Sequence, residues 1–284
     1  MFDPAELLAL RERVRAQVQA DRHVLSEIVA DVRVLKGHVQ RIYPRTTTAV
    51  ALVAGDGGNN RLVFDPFYAQ LVRVTDSYGK PLCLDVVSPT TDTDALSRRQ
   101  FDGAGKPRTA LGRMMQDLGV ATLTELNPFI PAGHRVRTDP RSAPPGWVLI
   151  YRDLCEWAVL YERICYTRFG TDTLVIRDGL LRNTLFQGDL FTRWREKVEA
   201  AIERLWREDH RRVSLVGVAK RSKMLDRYAL AIATEELFPP GQARYVRVPP
   251  EIQAKIYRGL ATEEAAARAG ATWRFHPGEL YFAR

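Results

Sequence analysis

A change in hydrophobic period limits the folds open to this chain more than any other feature of it. From Thr46 onward, short apolar runs alternate with turn chemistry. Thr47 to Ala54, Arg61 to Phe64, Tyr68 to Thr75 and Leu82 to Val87 read as strands, with Gly55-Asp-Gly-Gly-Asn-Asn60, Asp65-Pro66 and Asp76-Ser-Tyr-Gly79 as the turns between them. Connections this short imply antiparallel neighbours. A polar stretch punctuated by Gly and Pro follows, Ser88 to Pro145, read as an insertion or lid with one helix near Thr109 to Leu118. Beyond it the period lengthens. A helix is expected over 147–169 with Gly170 as its cap, then strand 173–177, helix 189–209, strand 213–218, helix 222–237, strand 245–248 and helix 250–268. A meander followed by alternating helix and strand builds an α/β fold, one mixed sheet with helices on both faces. This order resembles the ribonuclease H-like fold, in which the first strand is central and the strand after the first helix lies beside it.

Ahead of the sheet, residues 1–45 read as a helical arm. Asp3-Pro4-Ala5-Glu6 carries a helix start, with Asp as cap, Pro at the first helical position and Glu able to close a capping box. The helix runs to about Gln40. Leu25, Ile28, Val32, Leu35, Val39 and Ile42 recur in alternating steps of three and four, a heptad seam that can pack on the protein's own body or on a second copy. Residues 46–284 then form the sheet domain, with 88–145 as the insertion.

The net charge of +8 and the pI near 9.6 favour a polyanionic partner, nucleic acid first. Between Arg193 and Arg227 there are eleven Lys/Arg against six Asp/Glu, so this one segment supplies much of the excess. No apolar run approaches the ~20 residues of a membrane span. The start Met1-Phe-Asp-Pro has neither the basic nor the apolar part of a signal peptide. Cys83, Cys155 and Cys165, odd in number and unclustered, fit a reducing cytoplasm.

Two strands deliver a carboxylate followed by glycine: Ala49-Val-Ala-Leu-Val-Ala-Gly-Asp56-Gly-Gly and Asp172-Thr-Leu-Val-Ile-Arg-Asp178-Gly-Leu-Leu. Asp-Gly is also the commonest hairpin signal, so each string alone reads equally as a turn. Asp178, however, leads towards a helix rather than a second strand. The helix over 147–169 feeds directly into the strand ending at Asp178. Five or six strand residues cover roughly 18 Å, which equals about twelve helical positions, so the helical residue level with Asp178 lies near 157. Glu156 stands there, Asp153 is one turn above it, and Glu162 is further down the helix. Asp56, Glu156 and Asp178 therefore form a candidate cluster of hard oxygen ligands suited to Mn²⁺ or Mg²⁺. Two such ions would support phosphodiester cleavage, and Gly57, Gly58 and Gly179 would let a phosphate backbone approach closely. A third string, Val216-Gly-Val-Ala-Lys220-Arg221-Ser222-Lys223, ends a strand in a basic triad entering a helix. With phosphate present, peptide N–H groups and lysines cooperate there; otherwise it is a solvated loop. No GxGxxG or GxxxxGK[ST] string is present, and the five histidines are scattered, which argues against a nucleotide-binding metabolic enzyme and against His-based triads.

Taken in order, Val53-Ala-Gly-Asp56-Gly-Gly, Leu154-Cys-Glu156-Trp, Leu174-Val-Ile-Arg-Asp178-Gly-Leu-Leu181 and Val216-Gly-Val-Ala-Lys220-Arg-Ser resemble the NurA nuclease family over about Thr48 to Leu230. The resemblance implies a ribonuclease H-like, manganese-dependent deoxyribonuclease that acts at DNA ends in repair or phage defence. It further implies a homodimer working with a HerA-type hexameric ATPase. Carried over, Asp56, Glu156 and Asp178 would be the metal-binding catalytic acids and Lys220 a phosphate contact, with Arg182, Asn183, Arg221 and Lys223 as further DNA contacts. The family also has a tyrosine and a histidine near its C-terminus; His276 and Tyr281 do not match their placement and are left unassigned. A catalytically impaired DNA-binding subunit is the alternative implied by the same frame.

Overall fold

The computed structural model describes residues 4–43, 50–64, 67–76, 78–139, 146–181, 185–220, 222–258 and 278–284. In chain order the elements are α1 (Pro4–Lys36), β1 (Gln40–Arg41), β2 (Ala51–Phe64), β3 (Phe67–Asp76), β4 (Pro81–Val87), α2 (Thr93–Arg98), α3 (Ala110–Leu118), α4 (Leu123–Leu126) and α5 (Gly133–Thr138). They continue with α6 (Trp147–Tyr166), β5 (Thr173–Asp178), α7 (Leu190–Asp209), β6 (Val213–Val218), α8 (Lys223–Thr234), β7 (Arg244–Arg247), α9 (Pro250–Arg258) and β8 (Tyr281–Ala283). The chain is α/β and forms two compact units. One joins α1 and β1 to the elements from Lys220 onward, and the other spans the chain from β2 to Ala219. The residues after 220, expected to extend the sheet domain, therefore group with the N-terminal arm.

In the larger unit a five-stranded mixed sheet runs β4-β3-β2-β5-β6. Strands β2, β3 and β4 form the antiparallel meander, and β5 and β6 are added parallel to β2. The central strand departs from expectation. Gly55-Asp-Gly-Gly-Asn-Asn60 makes no turn, because β2 continues through it in unbroken pairing from Gly55 opposite Asp76 to Phe64 opposite Phe67. Val72 and Val74 on β3 are fully buried opposite Asn59 and Gly57, so tertiary packing overrides the local turn chemistry.

One face of the sheet carries the core. Val53, Val72, Val74, Val175, Val213 and Leu215 face α6 and α7, whose Trp157 and Trp194 rings meet edge-on with centroids 4.9 Å apart. The stretch 88–139 is built into this core and does not lie over it. It holds four short helices where one was expected, and Leu111, Met114, Met115, Leu118, Leu123, Leu126 and Ile130 are all buried. Side-chain caps set the starts of three of them: Asp92 accepts from the Asp94 and Ala95 amides, Thr109 from Gly112, and Thr122 from Glu125. Helices on both faces were expected. Among the described residues α3, α6 and α7 share one face, while Leu52, Leu84, Val86, Val216 and Val218 on the opposite parity are exposed. No helix of the described residues is long and apolar enough to cross a membrane.

In the smaller unit, Ile28, Val32 and Leu35 of α1 are buried, and α1 packs on α8. The buried Tyr228 donates its hydroxyl to Asp31 at 3.1 Å, and Lys255 pairs with the same carboxylate at 2.7 Å. A small antiparallel sheet, β1-β7-β8, closes the unit.

Candidate active site

The pairing of β2 with β5 determines what can meet at the strand tips. The register is parallel, with Val53 opposite Val175 and Gly55 opposite Arg177. Asp56 and Asp178 are each the next residue on their strands, so their backbones come to one level where the parallel part of the sheet ends. Asp56 is not itself at a strand end, because β2 runs on as a ribbon with β3 and Asp56 pairs with Thr75. Its side chain lies outside the described residues. Asp178 is the last residue of β5 and is exposed.

Glu156 sits on α6 at the level expected from the helix rise, but its partner is Arg177, the residue before Asp178. The Arg177 Nη2 lies 3.8 Å from Glu156 Oε2, and the guanidinium stacks over the Trp157 ring at 4.3 Å from its centroid. Arg152 approaches Glu156 from the same helix at 3.4 Å. Side chains alternate across a strand, so Arg177 takes the α6-facing position behind Val175 and Asp178 takes the opposite parity. Arg177 Nη1 donates to the Leu180 carbonyl at 3.0 Å, while its buried Nε has no hydrogen-bond partner among the described residues. Burial lowers the Arg177 pKa from the ordinary arginine value, against the pull of Glu156, Asp153 and Asp178. One half-buried cation thus feels three carboxylates. Asp153, one turn above Glu156, accepts from Arg152 at 2.6 Å, and Glu162 pairs with Arg113 at 3.3 Å.

The loop after Asp178 is fixed by two glycines. Gly179 has φ +109°, and a Cβ on it would lie 2.6 Å from Arg177 Nη1. Its amide donates to Val218 at 2.8 Å, which draws the loop across β6. There Gly217 leaves the space: a Cβ on Gly217 would come 2.6 Å from the Gly179 oxygen and 2.8 Å from the Leu181 amide nitrogen. Gly217 makes room for backbone, and Gly179 supplies the positive-φ turn beside the Arg177 guanidinium.

Lys220 follows β6, is exposed, and belongs with the smaller unit. Ser222 caps α8 by accepting from the Leu225 amide at 3.0 Å. Arg182, Asn183 and Arg221 lie outside the described residues, as does the side chain of Lys223. Arg177 and Arg152 are the site residues that sequence reasoning passed over. The available signal was a cation two positions after Val175, on the parity whose other members, Thr173 and Val175, are buried.

Carboxylates are hard oxygen donors and suit Mn²⁺ or Mg²⁺ by chemical type. Among the described residues no group of three His, Cys, Asp or Glu side chains is arranged to hold a metal. The thiols expected to be unclustered are not all apart: Cys83 on β4 and Cys155 on α6 are hydrogen-bonded free cysteines. That bond lowers the Cys83 pKa and raises that of Cys155. No family model, curated protein or solved structure matches the chain.

Proposed function

We propose that the chain is a metal-dependent deoxyribonuclease on a ribonuclease H-like frame, hydrolysing phosphodiester bonds where the parallel pairing of β2 with β5 ends, beside Asp56 and Asp178. One observation carries the reading: β2 and β5 are adjacent and parallel, in a register that brings Asp56 and Asp178 to the same level at the end of the parallel sheet. Asp56 and Asp178, on one parity of the sheet, are the residues that would hold Mn²⁺ or Mg²⁺; Glu156, expected as the third ligand, is held with Arg177 on the other parity. A bound ion there would acidify a coordinated water and neutralise charge on the leaving oxygen. The chain's own contribution is positional. The Gly179–Gly217 contact holds the loop behind Asp178, and Arg177 balances the negative charge of Glu156 and its neighbours. The net charge of +8 suits a polyanionic substrate, and Lys220 is the phosphate contact of this reading. Action at DNA ends beside a HerA-type hexameric ATPase follows from the NurA resemblance and belongs to the same proposal.

A second reading has its own observation. Glu156 is engaged by two arginines, at 3.4 and 3.8 Å, an arrangement that favours a DNA-binding subunit whose carboxylates are neutralised by guanidinium groups. The purified protein with linear DNA separates the two. The first reading expects Mn²⁺-dependent degradation that EDTA stops; binding without degradation at any divalent ion concentration establishes the second.

A further inference from the structure

We propose that Cys83 and Cys155 are a peroxide-responsive thiol pair: a small hydroperoxide entering the cavity beside them oxidises Cys83, and the two sulfurs close into a reversible disulfide. The packing of β4 on α6 brings them together. Cys83 and Asp85 share the parity of β4 that leads to the buried Val87, while Leu84 and Val86 in between are exposed. Tyr151 and Cys155 lie one turn apart on α6, and both are buried. The Tyr151 hydroxyl donates to Asp85 at 2.9 Å. From that rung one helical turn advances ~6 Å and two strand residues ~6.6 Å, so Cys155 arrives level with Cys83. The two thiols are hydrogen-bonded to each other, which leaves a short path to the ~2.05 Å of a disulfide.

Access separates this pair from inert core thiols. A cavity of about 320 Å³ lies beside it, with both cysteines, Tyr151, Asp85, Arg99 and Arg108 in its wall. That is several times the ~30 Å³ share of one water in the liquid, ample for hydrogen peroxide. Cys83 is half-buried and Cys155 buried, so the oxidant meets Cys83 first. The Asp85 carboxylate is already engaged, by Tyr151 and by Arg99 at 3.3 Å. The bond from Cys155 lowers the Cys83 pKa against the opposing effects of burial and Asp85, which favours the thiolate at the sulfur reached first. That sulfur attacks one peroxide oxygen. An S–O bond forms, the O–O bond breaks, and the departing hydroxide takes a proton to become water. Cys155 then attacks the sulfenic sulfur; the S–S bond forms, the S–O bond breaks, and the second hydroxide leaves with the Cys155 proton as water. Two thiols lose two electrons in all, and the peroxide gains them. Cys165 provides an internal comparison, since burial pushes its thiol up to about 12. Neither sulfur of the pair takes part in the proposed hydrolysis, so the pair is tested without DNA.

Thiol counting by mass spectrometry, on the full chain reduced beforehand and then treated with hydrogen peroxide, tests the proposal. Alkylation under denaturing conditions should fall from three cysteines to one, with the remaining label on Cys165. The protein should lose two hydrogens, a cross-linked Cys83–Cys155 peptide should appear, and dithiothreitol should restore all three thiols. Cys83 should react at least about ten-fold faster than Cys165. Cys155→Ser should stop one step earlier, with one oxygen added to Cys83 and a sulfenic acid that dimedone traps. Cys83→Ser should keep Cys155 as a free thiol under the same treatment. The wild-type chain carries the first readout, so the outcome does not depend on either variant folding. Three free thiols after peroxide, Cys165 oxidised as fast as Cys83, or oxygen added to wild-type Cys83 with Cys155 still free would each overturn the proposal.

Discussion

Replacing Gly217 with alanine tests whether the loop behind Asp178 is held as described. The added Cβ would come 2.6 Å from the Gly179 oxygen, 2.8 Å from the Leu181 nitrogen and 3.0 Å from Leu181 Cγ. The first two atoms are backbone, so no side chain can rotate away. To reach an ordinary contact near 3.5 Å, the 179–181 segment must retreat by roughly 0.5–1 Å. That breaks or lengthens the 2.8 Å bond from the Gly179 amide to Val218 and shifts Asp178 with it. Overpacking of this kind costs about 1–3 kcal/mol. For a unit of this size that lowers the thermal midpoint by roughly 2–10 °C. Gly103→Ala is the control, because nothing lies within 4 Å of its Cβ position; it should fall within about 0.5 kcal/mol of wild type. Thermal melts followed by far-UV circular dichroism would measure both variants. A Gly217→Ala midpoint equal to that of Gly103→Ala would show that the loop does not rest on β6, and the account of why glycine occupies 179 and 217 would fail.

Arg177→Gln removes the guanidinium from Trp157 and Glu156, so the midpoint should fall by the loss of a half-buried cation–π contact, about 0.5–2 kcal/mol. Mn²⁺ should then raise the midpoint more than it does in wild type, because uncompensated carboxylates are left behind; equal Mn²⁺ shifts would separate Arg177 from any cation site. Tyr228 offers a pH test. Burial, then Asp31, pushes its phenol up to about 12, above the ordinary 10 it would have when unfolded. The group therefore favours the folded state while neutral, a contribution fully present below pH 10 and lost as pH rises towards 12. Urea midpoints should drop less between pH 9 and pH 12 in Tyr228→Phe than in wild type, and identical drops would refute the assignment.

Much of the fold could be read from residue spacing because its elements are long or strongly patterned. The bounds of α7 and β6 follow from apolar periodicity, whereas α6 ends at Tyr166 with Thr167 as its cap, short of the expected Gly170; the place of β5 beside β2 was expected from the resemblance of the element order to the ribonuclease H-like fold. The central strand was misread for a physical reason. Gly55-Asp-Gly-Gly carries every local mark of a turn, and only the pairing of β2 with β3, ten residues and more away in sequence, makes it a strand. The site was legible to a similar extent. The helix-rise argument found the level of Glu156 correctly but landed on Arg177, because a one-residue step along a strand exchanges one face for the other. No spacing rule could have placed Cys83 beside Cys155, since a non-local contact between a strand and a helix brings them together. The heptad seam was visible as a pattern, but its division into a buried half and a free half depends on where α8 packs.

The central claim is that DNA is hydrolysed at Asp56 and Asp178, where the parallel pairing of β2 with β5 ends. Its most direct test is cleavage of end-labelled linear DNA in Mn²⁺ by wild type and by Asp178→Asn. Asp178 is exposed at the end of its strand, so the substitution should leave the fold intact. The account predicts that cleavage falls at least about a hundred-fold while DNA binding by gel shift is retained or strengthened, as a negative charge near phosphate is removed. Asp178→Asn protein that cuts as fast as wild type would contradict it.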